Sequence, residues 1–107
     1  MARQPTASEL FAEFEAYLRH ELNRSEDTIR TYIGALEQWM LYLQRRGVTL
    51  LNASARDIRS WLIRLAESGA KPSTRLVYLC AIRAFYRLQV LQERLDRNPA
   101  EGIPSPK

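Results

Sequence analysis

The sequence holds one cysteine, one histidine, two lysines and four glycines in 107 residues, and each scarcity removes a class of chemistry. Cys80 and His20 cannot form a Cys/His cluster for zinc, and they lie too far apart in sequence to suggest a thiol–imidazole pair. The glycines are scattered, so no Gly-rich loop cradles a nucleotide phosphate. No apolar run approaches the roughly 18 residues that span a bilayer. Arg3 is followed by no apolar stretch of the signal-peptide kind. Strand signals are missing apart from Val48-Thr49-Leu50-Leu51, which reads as loop. The carboxylates fall mostly in first helical turns or on polar faces. No catalytic residue, metal or cofactor is therefore expected. Cys80, between Leu79 and Ala81, reads as a buried small hydrophobe in a reduced, cytoplasmic chain.

Charge is where the sequence is uneven. Its formal net charge is +4 and its pI is near 9.6, with fourteen arginines against two lysines. Residues 1–53 carry six basic and seven acidic groups, whereas residues 54–107 carry ten and five. The positive field thus belongs to the second half. Guanidinium forks suit phosphate oxygens, and a one-sided basic excess is the footprint of a nucleic-acid binder. The same excess is also found in proteins whose arginines are simply solvated.

Helical periodicity organises the rest. Residues 1–7 read as a disordered lead. A first helix is expected from Ser8 to Leu22, with Leu10, Phe11, Phe14, Tyr17 and Leu18 on one face and His20 at its exposed end. Ser25 caps a second helix, with Glu26 and Asp27 in its first turn. Its stripe is Ile29, Tyr32, Ile33, Leu36, Trp39, Met40 and Leu43, and Gly47 ends it. Gly34 falls on the opposite face, where a close approach is conceivable. Val48 to Ala53 is the longest internal loop. Ser54 with Asp57 is a variant capping box for a third helix, buried along Ile58, Trp61, Leu62 and Leu65 and ended by Gly69.

The fourth helix, from Pro72 to Arg94, is apolar nearly all round and should be the buried centre of the domain. Arg75, Arg83, Arg87 and Arg94 also lie on it, without an acid before Glu93, so an exposed edge should meet something anionic. Asn98-Pro99 ends the pattern. Residues 8–100 then form one domain, and residues 101–107 read as the start of a linker, so that the chain resembles a fragment of something larger.

The order of these landmarks carries a resemblance. The segment LFAEFEAYLRHELNRSEDTIRTYIGALEQWMLYLQRRG is followed by SARDIRSWLIRLAESGAKPSTRLVYLCAIRAFYRLQVLQERLDRNPAEGIPSPK. Particular matches are Ser25 and Thr28 before Tyr32, Leu36–Trp39–Leu43, Arg46-Gly47, Asp57-Ile58, and Pro72-Ser73-Thr74. The Ala81-Ile82-Arg83-Ala84-Phe85-Tyr86 block and Asn98-Pro99-Ala100 complete them. Over residues 8–107 the chain resembles the N-terminal core-binding domain of tyrosine recombinases, the phage-integrase and Xer-type family. The resemblance implies an all-α, SAM-like four-helix domain of two crossed helical hairpins. It implies one jaw of a C-shaped clamp around duplex DNA, with the second and fourth helices near the major groove. The nucleophilic tyrosine and its Arg, Lys and His partners would belong to a C-terminal catalytic domain beyond the linker, so none of the tyrosines here inherits that role. Family members act as tetramers on paired sites, which implies subunit contacts through helix 1, while the isolated domain is expected to be monomeric.

The DNA-contact candidates follow from both lines. Ser25, Thr28, Arg30 and Thr31 lie at the start of helix 2. Lys71, Ser73, Thr74 and Arg75 lie at the start of helix 4, where backbone N–H groups favour phosphate. Tyr78, Arg83 and Arg87 follow on the same helix. Val77 and Tyr78 stand where the family commonly has polar or basic residues. Most such contacts should position the backbone rather than read bases, with affinity of roughly 10⁻⁴ to 10⁻⁶ M at physiological salt. A helical protein-interaction module, or a DNA-binding regulator without a catalytic domain, would share the same bundle.

Overall fold

A computed structural model describes residues 4–106. Among these the chain is all helical, with α1 at Ala7–Ala16, α2 at Glu26–Arg45, α3 at Ala55–Glu67 and α4 at Pro72–Leu91. The SAM-like all-α class implied by the sequence is the class observed.

Helix α1 begins one residue before the expected Ser8. The Thr6 hydroxyl accepts from the Glu9 N–H at 3.1 Å, and the Glu9 carboxylate accepts from the Thr6 N–H at 3.3 Å. Thr6 and Ala7 thus belong to the helix and not to the lead, while residues 1–3 of that lead lie outside the described residues. The end of α1 widens into a π turn over Tyr17–Glu21, closed by Leu22 N–H on the Tyr17 carbonyl at 3.1 Å. Arg19 in that turn grips Glu26 at the start of α2 with two parallel bonds of 3.0 and 2.8 Å. This mutual bond raises the Arg19 pKa and lowers that of Glu26.

The core is built where α2 meets α4. Phe14, Leu36, Trp39, Leu43, Ile58, Leu79, Ile82, Phe85 and Tyr86 are all fully buried. The Trp39 indole N–H donates to the Tyr86 hydroxyl at 3.0 Å, and that hydroxyl donates to the Leu50 carbonyl at 2.7 Å. Burial pushes the Tyr86 phenol far above its ordinary pKa, so it stays a neutral donor. Leu50 sits in a 3₁₀ turn, Leu50–Asn52, within the stretch expected to be plain loop. The turn exists because its carbonyl has a buried partner and its side chain a core to enter.

Several expectations need correction. Helix α4 stops at Leu91 rather than Arg94, because Glu93 adopts a left-handed φ of 59° and the Arg94 N–H returns to the Gln89 carbonyl at 3.0 Å. Arg94 then reaches back to Glu13 of α1 with bonds of 2.7 and 2.8 Å and to the buried Gln89 side chain at 2.8 Å. Burial along α4 begins only at Leu79, so its first two turns project beyond the core, and Leu76, Val77 and Leu91 are exposed. Cys80 is half-buried beside Tyr32 rather than fully packed. Gly34 has open space where a side chain would begin, so no neighbour requires it. The segment after α4 is not a free linker from 101 onward, because Ala100 and Ile103 are buried.

Two substitutions test this account. Tyr86→Phe leaves a buried indole N–H and a buried carbonyl unpaired, and should cost about 2–6 kcal/mol in urea unfolding at about 1–3 kcal/mol for each orphaned group. A loss under half that would mean water replaces the hydroxyl. Glu93→Gly relieves the left-handed strain and should raise stability by about 0.5–1 kcal/mol, net of glycine's extra chain entropy. The midpoint shift in the same titration reads it.

Candidate nucleic-acid interface

Contacts between side chains fix the direction of each helix. On α2, Trp39 and Tyr42 pack on Trp61 of α3, at centroid distances of 5.1 and 6.4 Å, and Arg46 pairs with Asp57 at 3.3 Å. Later residues of α2 thus meet earlier residues of α3. The rings of Trp61 and Tyr78 stack at 5.3 Å, and the Asp57 charge acts on Tyr86, so α3 and α4 are likewise antiparallel. Helices α2 and α4 therefore run the same way. Tyr32 beside Cys80 and Trp39 beside Tyr86 agree with that sense. The N-termini of α2 and α4 come to the same end of the bundle, and both present the positive pole of a helix dipole.

The two ends differ chemically. At α2 the Ser25 hydroxyl accepts from the Thr28 N–H at 3.2 Å and donates to the Thr28 hydroxyl at 3.0 Å. The Thr31 hydroxyl donates to the Asp27 carbonyl at 2.9 Å, and Arg30 pairs with Asp27 at 3.0 Å while both remain largely exposed. At α4 no side chain caps the helix and no acid lies in the first turn. Lys71, Ser73 and Thr74 are exposed there, and Pro72 has no N–H to offer. The N–H groups of Ser73 and Thr74 are thus open for an anion.

Eight of the eleven candidates share this end: Ser25, Thr28, Arg30 and Thr31 with Lys71, Ser73, Thr74 and Arg75. Arg75 is committed locally, since its guanidinium turns back onto the Ala70 carbonyl and braces the α3–α4 turn. Tyr78 has one ring face covered by Trp61, with the planes 6° apart, so it packs rather than offering a free stacking platform. Arg83 is held by the Ile103 carbonyl and the Ser105 hydroxyl. Arg87 is exposed, fourteen residues beyond Ser73, hence about 21 Å further along α4 at 1.5 Å per residue.

Two cations at the shared end escaped the sequence argument. Arg24 immediately precedes the α2 cap, and Arg64 lies one turn past Trp61 toward the α3–α4 turn; both are exposed and no salt bridge among the described residues holds them. Their signal was the hairpin geometry, which returns the end of α3 to the start of α4. Among the described residues no group of three His, Cys, Asp or Glu side chains could hold a metal, and no helix is long and apolar enough to cross a membrane.

Comparison with known proteins gives the chain its family. The sequence model of the phage integrase N-terminal SAM-like domain matches residues 11–93. Tyrosine recombinase XerC of Myxococcus xanthus is 35% identical over 101 residues, which is 94% of this chain and 33% of the relative. XerD of Chlorobaculum tepidum is 33% identical over 94 residues, 88% of this chain and 31% of its own. XerC of Mycobacterium tuberculosis is 34% identical over 95 residues, 89% of this chain and 32% of its own. No solved structure gave a significant match. The chain thus spans about a third of the length of these curated relatives. It belongs to the phage integrase N-terminal SAM-like domain family.

Proposed function

We propose that the domain binds duplex DNA through the shared end of α2 and α4, forming one jaw of a clamp in a site-specific tyrosine recombinase. The observation that carries this is the uncapped, acid-free N-terminus of α4, set beside the N-terminus of α2 with Arg24, Arg64 and Lys71 exposed around it and not ion-paired among the described residues. Dipole ends and unneutralised cations converge there, and a phosphate backbone is the extended anion they suit. Ser25, Thr28 and Thr31 supply hydroxyls, Ser73 and Thr74 supply N–H groups and hydroxyls, and Arg30 can exchange Asp27 for a phosphate. The Arg75 and Tyr78 contributions are indirect, through the α3–α4 turn and the Trp61 stack.

Strand cleavage lies, on this proposal, in a catalytic domain of a longer parent protein, so this chain alone does not cut DNA. The parent acts in the cytoplasm, and its subunits meet partly through α1, whereas the isolated domain is monomeric.

Affinity for a 20-base-pair duplex, followed by fluorescence anisotropy, should fall steeply with salt. Lys71→Gln and Arg64→Gln should each weaken binding and flatten the slope of log K on log salt by about 0.9. Arg45→Gln, at the far end of α2, should leave both unchanged. Salt-independent affinity, or equal losses at Arg45 and Lys71, would contradict the proposal and favour a helical protein-interaction module.

A further inference from the structure

A polar groove of about 550 Å³ lies away from that end, where the second half of α4 meets the segment following it. Arg83 and Arg87 line it from the helix, with Asp96, Arg97, Asn98 and Glu101 from the segment. The segment is held in place by a two-way clasp. The Asn98 amide donates to the Arg83 carbonyl at 3.1 Å, and its oxygen accepts from the Ala100 N–H at 2.9 Å. The Arg83 guanidinium in turn donates to the Ile103 carbonyl and, at 3.3 Å, to the Ser105 hydroxyl. Burial of Ala100 and Ile103 completes the anchoring.

The clasp has an electrostatic consequence. It consumes Arg83 and brings Arg97 to the groove that Arg87 lines from the helix. Arg87 and Arg97 are both exposed, and neither forms a hydrogen bond or an ion pair among the described residues, although Asp96 and Glu101 share the groove. Two guanidinium forks that line one concavity without an ion pair suit a tetrahedral anion, whose oxygens can accept from both. Arg87 lies about 21 Å along α4 from Ser73.

We propose that Arg87 and Arg97 form a second phosphate seat, assembled by the Arg83–Asn98 clasp. It takes a backbone phosphate of the same duplex that the α2 and α4 N-termini engage. The inference rests on the duplex-binding proposal and adds Arg97 as a binding residue. It also assigns Arg83 a positioning role in place of direct contact.

The test is salt-dependent affinity of the whole chain for a 20-base-pair duplex, with circular dichroism confirming each variant's fold. Arg87→Gln and Arg97→Gln should each weaken binding and reduce the salt slope by about 0.9. Glu101→Gln, which removes a carboxylate from the groove, should strengthen binding, an effect that a purely structural role does not produce. Arg83→Ala should silence Arg97, so that Arg83→Ala and the double variant with Arg97→Gln bind equally, while Arg87→Gln still adds its loss. If Arg83→Ala fails to fold, Asn98→Ala serves for the same comparison. Wild-type affinity and slope in both Arg87→Gln and Arg97→Gln, with Lys71→Gln still weakened, would overturn the seat and leave duplex binding standing. A Glu101→Gln variant no tighter than wild type would also overturn it. Loss of any effect at Lys71 as well would remove both proposals together.

Discussion

The Tyr86 hydroxyl is the point on which the domain turns. Accepting from Trp39 of α2 and donating to Leu50 in the 3₁₀ turn, it ties α4 to the two segments that flank the first corner after α2. All three groups are buried, so each bond is expensive to leave unmade, and the alternatives in which α4 slides or rotates against α2 are excluded. The register this sets has a direct geometric result. Helices α2 and α4 run in the same sense, and the first two turns of α4 extend past the buried stretch that begins at Leu79. The end proposed to meet DNA is therefore a by-product of how the core locks.

Electrostatics divides the arginines into two populations. Arg19 with Glu26 and Arg46 with Asp57 join successive elements, Arg94 with Glu13 joins distant ones, and in all three pairs the charge is internally balanced. Arg24, Arg64, Lys71, Arg87 and Arg97 are exposed and have no such partner among the described residues. The overall charge of +4 is modest, and the cations without an ion pair among the described residues lie at the shared end of α2 and α4 and along the α4 groove, with Arg45, Arg56 and Arg59 toward the opposite end. Partially buried pairs such as Arg94–Glu13 are screened less by salt than free cations are. Raising ionic strength should thus affect ligand contacts before it affects the fold.

The helices were legible because their causes are local. Ser25, Ser54 and Gly69 mark ends by chemistry acting over three or four residues, and the stripes Ile29–Leu43 and Ile58–Trp61 show the period directly. What stayed hidden depends on partners far along the chain. Gln89 is buried because Arg94 and the Phe85 carbonyl satisfy it, and neither partner is visible in the helical period. Arg83 looked like a free cation on a basic helix, but its acceptors lie about twenty residues downstream, in a Pro-rich segment that periodicity treats as a linker. Tyr78 has the composition of a stacking platform, and only the α3–α4 hairpin shows that Trp61 already occupies it. Thr28, Lys71, Ser73 and Thr74 lie at helix starts for a local reason, since the start of a helix can be read from Ser25 and Pro72 alone.

The central claim is that two helix N-termini, brought together by a parallel α2–α4 pairing, form one anion-binding surface. The most direct measurement is an NMR titration of the labelled domain with a short duplex at low and moderate salt. The account predicts amide shifts that concentrate at residues 24–31 and 71–75, move together with a single saturation curve, and weaken as salt rises. Shifts at only one of the two N-termini, or shifts centred on the apolar groove between Leu10, Met40 and Leu50 at the opposite end, would contradict it.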